Sequence, residues 1–125
     1  MKCLTIDDIL SSDDITIERV ECPEWGGVVF IRTITADKRD KFENDFNKSG
    51  AGMLGVRARL VSACMCDEKG KPSGISDAQI KALGKKSSAV MDRIFTRCMI
   101  INGMRDEDVE EMEKNYSKAE ESVSG

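Results

Sequence analysis

Ile15-Thr16-Ile17-Glu18-Arg19-Val20-Glu21, Cys22-Pro23-Glu24-Trp25-Gly26-Gly27 and Val28-Val29-Phe30-Ile31-Arg32-Thr33-Ile34 together decide the fold class. The first segment is rich in β-branched residues and partly alternates polar with apolar, so it reads as a strand. The third segment reads as a second, stronger strand. Between them a proline and paired glycines punctuate the chain as a turn. The pattern predicts a β-hairpin over residues 15–34. A lone hairpin is marginal in water, so this one must pack on helices or pair with another chain.

The flanking sequence supplies helices. On the N-terminal side, Thr5 is placed to cap a short helix through about Ser11. Asp7 and Asp8 fall in its first turn, where the helix dipole favours acids. Ile6, Ile9 and Leu10 form its apolar face. On the C-terminal side the period changes at Thr35, an N-cap for a helix carrying Phe42 and Phe46 four residues apart. A helix over 54–66 takes Val56, Leu60, Val61, Cys64 and Met65 as its apolar content. Ser76-Asp77-Ala78-Gln79 matches the capping box and opens a short helix ending at Gly84. Ser87 or Ser88 starts the main helix, whose Val90, Met91, Ile94, Phe95, Cys98 and Ile101 keep a three-to-four spacing until Asn102-Gly103. Asp106 opens an acidic helix to about Asn115 with Val109 and Met112 as its apolar positions. The expected fold is α+β and mostly helical, an N-terminal hairpin packed against about four to five helices. Residues 1–116 form the domain and 117–125 a flexible tail without an apolar face.

Composition narrows the function. The 125 residues are 40% apolar and 34% charged, with a net charge of −4. That length suits one domain, burying roughly two-thirds of its unfolded surface without needing metal or disulfides. No run approaches the roughly 18 apolar residues of a membrane span. Residues 1–8 hold acids where a signal peptide has its apolar stretch, so an intracellular, soluble protein is expected. Histidine is absent. That excludes Ser-His-Asp and Cys-His nucleophiles and every His-ligated metal site, and it removes the commonest general base near neutral pH.

The remaining chemistry-bearing residues do not form a site. Cys3, Cys22, Cys64, Cys66 and Cys98 are odd in number and scattered, which fits buried free thiols better than a disulfide framework or a zinc site. Gly50-Ala51-Gly52-Met53-Leu54-Gly55 matches G-x-G-x-x-G. It lacks the preceding strand and the acid about 20 residues on, so it reads as an interhelical loop. The carboxylate pairs Asp7-Asp8, Asp13-Asp14 and Glu110-Glu111 lie on polar helix ends and solvated faces rather than in a cleft that separates their pKa values. No cofactor, metal or small-molecule substrate is expected, and the chain does not read as an enzyme.

Charge falls in three blocks: net −4 over 1–53, +5 over 54–103 and −5 over 104–125. The basic block is dispersed and has only Phe95 as an aromatic, so it does not read as a nucleic-acid module. The alternation suits head-to-tail self-association, a homo-oligomer, with the acidic C-terminal helix against the basic middle. Trp25 sits in the turn, either packed on a helix or protruding as an interface anchor. Six internal methionines, Met53, Met65, Met91, Met99, Met104 and Met112, belong to the core or to a surface adapted to a long, variable helical partner. The candidate partner-binding residues are Trp25, Met91, Ile94, Phe95, Met104, Val109 and Met112.

The ordered features resemble a known family. They are a short helix with Asp8-Ile9, the Val20-Glu21-Cys22-Pro23-Glu24-Trp25-Gly26-Gly27 turn, and Val29-Phe30-Ile31-Arg32 leading to Ala36-Asp37-Lys38-Arg39-Asp40-Lys41-Phe42-Glu43. Arg57-Ala58-Arg59-Leu60-Val61, Cys66-Asp67-Glu68-Lys69-Gly70-Lys71, Leu83-Gly84 with Lys86-Ser87, Asn102-Gly103-Met104 and Val109-Glu110-Glu111-Met112 follow in order. Over roughly residues 5–116 the chain resembles the tail assembly chaperones of long-tailed bacteriophages and prophages. The weight lies in order and spacing, since no single motif is unique. The resemblance implies a non-enzymatic protein of the host bacterial cytoplasm, absent from the mature virion. It would coat the tape-measure protein and support tail tube assembly. It also implies, through a frameshift-extended form, contact with the tail tube protein. The alternative is a structural component of the tail or the head–tail connector.

Overall fold

The computed structural model describes residues 1–48 and 55–104. Helix α1 (Ile6–Ser11) precedes strand β1 (Ile17–Cys22), a 3-10 turn at Pro23–Trp25 and strand β2 (Gly27–Arg32). Helices α2 (Ala36–Lys48) and α3 (Val56–Cys64) follow, then a two-residue strand β3 (Met65–Cys66), helix α4 (Asp77–Leu83) and helix α5 (Ser88–Ile101). The expected α+β class holds. The acidic helix expected from Asp106, with Val109 and Met112, lies outside the described residues, as do 49–54 of the glycine-rich loop and the side chain of Phe46.

The hairpin forms where its sequence places it. β1 and β2 pair antiparallel, Ile17 opposite Arg32 and Cys22 opposite Gly27. The strands run one residue past the expected limits at the helical turn, to Cys22 and from Gly27, and stop two residues short at the open end, at Ile17 and Arg32. Pro23 opens that turn and Gly26, at φ +77°, closes it in the left-handed region that glycine occupies without steric cost. Burial alternates along β1: Val20 and Cys22 face the interior while Ile17, Arg19 and Glu21 face out.

The third strand corrects the expected helix over 54–66. The helix stops at Cys64, and Met65 and Cys66 pair antiparallel with Ile31 and Phe30 to give a sheet ordered β1-β2-β3. The run Cys64-Met65-Cys66 continues a helical apolar pattern locally. Pairing with β2 and the hydrogen bonds of the following loop override it. The Asp67 carboxylate accepts from the Lys69 and Lys71 amides at 2.9 Å each, and Arg32 donates to the Gly70 carbonyl at 2.8 Å.

The core lies between the inner sheet face and helices α3 and α5. Ile31, Val61, Cys64, Ile94 and Cys98 are essentially sealed from solvent, with Val20, Cys22, Leu60, Val90 and Met91 around them. Phe42 of α2 closes one side. Two salt bridges clamp the hairpin onto α5. Arg97 donates to Glu18 with its Nε at 2.7 Å, and Arg93 donates to Glu24 with its Nη1 at 2.9 Å.

The end of α5 is the polar hub of this packing. The Asn102 side-chain oxygen accepts from the Ile34 amide at 2.8 Å. Its Nδ2 donates to the Cys98 carbonyl at 2.8 Å and reaches the Cys64 thiol at 3.4 Å. One amide therefore ties the sheet exit, α3 and α5 together. Gly103, at φ +64°, then allows the Met104 amide to donate to Met99 O and its own amide to donate to Ile100 O. That pair of bonds is a Schellman motif, the helix stop expected from Asn102-Gly103.

Candidate functional site

Helix α1 is built like a helix that should be packed, yet no residue of it is buried. Thr5 Oγ1 accepts from the Asp8 amide and Asp8 accepts from the Thr5 amide at 3.0 Å, a reciprocal capping box. Leu4 before the cap and Ile9 at the fourth helical position occupy the staple positions of such a box. The exposed fractions are 58% for Leu4, 66% for Ile6, 50% for Ile9 and 76% for Leu10. A helix this short is unstable alone in water, so an apolar face held out to solvent points to docking.

The second surface is the outer face and tip of the hairpin. Alternation turns Ile17 and Val28 outward, and Phe30 is half-buried between Arg19 and the β3 edge. Trp25 is 37% exposed at the tip. Glu24 beside it is held by Arg93, so the turn is fastened to α5 while part of Trp25 stays open to solvent.

A third surface is an apolar groove of about 290 Å³ along α4 and β3, lined by Met65, Ile75, Gln79, Ala82, Leu83 and Lys86. Its size falls just under the roughly 300–1,000 Å³ of small-molecule sites. Ser76 keeps α4 in place through a second capping box with Gln79. Another cleft of about 280 Å³ lies between α2, α3 and the start of α4. There Lys38, Lys41 and Arg59 alternate with Asp45 and Asp77, so the charges offset rather than converge on a ligand.

The expected partner-binding residues separate into four groups. Trp25 is on the surface. Met91, Ile94 and Phe95 are interior, 4%, 0% and 9% exposed, and they pack the chain's own core. Met104 is half-buried against that core as the residue after the Schellman glycine. Val109 and Met112 lie outside the described residues. The three-to-four stripe of α5 therefore faces inward in this fold. Reasoning from sequence did not assign α1 or the α4 groove to an interaction. The available signal was the brevity of α1 beside a polar connector, which leaves its three apolar residues nothing nearby to cover them.

The cysteines follow burial. Cys22, Cys64, Cys66 and Cys98 are buried free thiols and Cys3 is exposed. Burial pushes the Cys22 and Cys66 thiols up; Cys98, which donates to Cys64, is pushed up by that bond and by burial, while accepting the bond pulls Cys64 down. Cys22, Cys66 and Cys98, held protonated in this way, are poor nucleophiles, and Cys64 is sealed from solvent. Among the described residues no group of His, Cys, Asp or Glu is arranged to hold a metal ion, and no helix is long and apolar enough to cross a membrane. Arg57 bridges Asp92 at 3.0 Å and lies 5.7 Å from the Phe95 ring centroid, sealing the core edge.

No protein-family model matches the sequence, and no curated protein matches it by sequence. The fold does have a solved counterpart. The structure of the bacteriophage HK97 tail assembly chaperone superposes with a TM-score of 0.52 at 17% identity, covering 70% of this chain and 85% of that one. The two chains share a fold.

Proposed function

We propose that this chain is a bacteriophage tail assembly chaperone. In this reading it binds the tape-measure protein in the host bacterial cytoplasm, keeps that long helical client soluble and supports tail tube assembly. The observation that carries the reading is the fold it shares with the HK97 tail assembly chaperone over most of that protein's length. The ordered sequence features from the Asp8-Ile9 helix to Asn102-Gly103-Met104 support it independently.

The chemistry required is contact, without a covalent step. The outer hairpin face offers Ile17, Val28 and Trp25 to a helical client, with Arg19 and Glu21 between them to select its polar positions. An indole at a turn that is pinned by Glu24 and Arg93 loses little freedom on binding, which favours it as an anchor. Each contact need be only moderate in affinity, because many copies along one client give avidity.

Co-expression with the tape-measure protein of the same phage tests the proposal. The client is expected to become soluble and to co-purify with this chain. Trp25→Ala combined with Val28→Thr should lose the client while circular dichroism stays that of the folded chain; the two side chains are 37% and 39% exposed. A client that is soluble alone and separates cleanly from this chain overturns the reading. So does stoichiometric presence of this chain in purified particles by mass spectrometry, which would instead mark a structural tail or connector component.

A further inference from the structure

Among the described residues the sheet is ordered β1-β2-β3, so β1 has a strand on one side only. We propose that the groove between this open edge and α5 takes an extended, acidic peptide segment of another protein, which adds to the sheet as a further strand beside β1.

The phase of the backbone carries the first part. The Thr33 amide donates to the Thr16 carbonyl, and that pair lies one step before Ile17 opposite Arg32. Residues directly opposite one another alternate between bonded and non-bonded pairs, so Glu18, Val20 and Cys22 are the β1 residues bonded across to β2. Ile17, Arg19 and Glu21 therefore turn their N–H and C=O groups outward. Arg93 of α5 marks that side, since its Nη1 donates to the Glu21 carbonyl at 3.3 Å. The outward groups of Ile17 and Arg19 lie further along the same edge. A second strand is the ligand whose own main chain matches their spacing.

The groove supplies the second part. A shallow cleft of about 620 Å³ has β1 as one wall and Arg93 and Arg97 as the other. Its lining sets Arg19, Arg93 and Arg97 against Glu18 and Glu21. Arg97 uses Nε and Nη2 on Glu18, and Arg93 uses its two Nη atoms on Glu24 and the Glu21 carbonyl. Arg97 Nη1 and Arg93 Nε remain as donors for a carboxylate. On the outer face the new strand lies beside Ile17, which is 40% exposed. The complementary segment alternates, with acids toward α5 and apolar side chains on the outer face. Two β1 edges paired about Glu18 or about Arg19 would set like charges opposite one another, which favours a different chain as the occupant.

Hydrogen exchange followed by NMR on the purified chain tests this, with the synthetic peptide acetyl-Thr-Val-Glu-Val-Glu-Val-Thr-amide as probe. No tape-measure protein is present, so the result is independent of client binding. Excess peptide should slow exchange about tenfold or more at the Ile17 and Arg19 amides. Glu18 and Val20 should not change, because their amides already bond to β2. With its glutamates toward Arg93 and Arg97, the peptide turns its valine N–H groups to the edge. The same peptide N-methylated at the valines keeps every side chain and should lose the effect. Arg19→Pro removes one outward N–H, a change that edge strands tolerate, and should weaken peptide binding about tenfold while circular dichroism stays that of the folded chain. The proposal is overturned if excess peptide leaves Ile17 and Arg19 unprotected, or if the N-methylated peptide protects them equally. Protection that appears without peptide and grows with protein concentration also overturns it, by assigning the edge to a second copy.

Discussion

Helices α1 and α5 are made of the same material and put it to opposite use. Both carry branched apolar residues at helical spacing and both have defined ends. In α5, Val90, Met91, Ile94 and Cys98 face the sheet and α3 and are sealed. In α1, Ile6, Ile9 and Leu10 remain in water. The difference lies in what surrounds each helix. α5 is long enough to cross the sheet and is held by Glu18, Glu24 and Asn102. α1 has one turn and a half and its own capping box. One helix stabilises the fold, and the other is free to take part in contacts between molecules.

Substitutions sharpen that contrast. The largest effect is expected at Ile94, where truncation to alanine should cost about 2–5 kcal/mol in chemical denaturation. Leu10→Ala in α1 should stay within about 0.5 kcal/mol of wild type in the same assay. Equal losses at the two sites would erase the distinction. Asn102→Ala comes next. It leaves the Ile34 amide without its acceptor and should cost about 1–3 kcal/mol, with hydrogen exchange accelerating first at Ile34.

Thr5→Ala removes half of the α1 capping box. It should cost about 0.5–2 kcal/mol of local helix stability, visible as faster exchange in α1 while the global denaturation midpoint stays put. A shifted global midpoint would mean that α1 belongs to the cooperative unit. The smallest effect concerns pH. Hydrogen bonding from Arg93 lowers the Glu24 carboxyl to about 2, and Arg97 lowers that of Glu18. The folded state therefore binds fewer protons than the unfolded one. The stabilisation is complete above the ordinary glutamate range near pH 4.5 and is lost as pH falls toward 2. Both pairs are substantially solvated, so the slope is shallow. Glu24→Gln should flatten it further in acid-denaturation curves.

Much of the fold is legible because its signals are local. Ser76 and Gln79 satisfy each other's backbone, so α4 begins where its capping box predicts. Asn102-Gly103 ends α5 because only a residue tolerant of positive φ continues into the Schellman bonds. β3 was hidden for the opposite reason. Met65 and Cys66 become a strand through Ile31 and Phe30, more than thirty positions away, and nothing in their own neighbourhood announces it. The interaction surface was harder still. A stripe at three-to-four spacing is the same pattern whether it faces a core or a partner, so Met91, Ile94 and Phe95 could not be told from docking residues by periodicity. Length decides between them. Fourteen residues can lie across a sheet, whereas six cannot bury a face against anything without being carried there.

The Asn102 amide has a mechanical consequence. It grips Ile34, Cys98 and Cys64 from a single side chain, at the point where the backbone leaves α5. Tension applied beyond Met104 reaches the sheet exit and α3 through this amide as well as the last turn of α5, so a pull at that end is shared by the sheet and both helices.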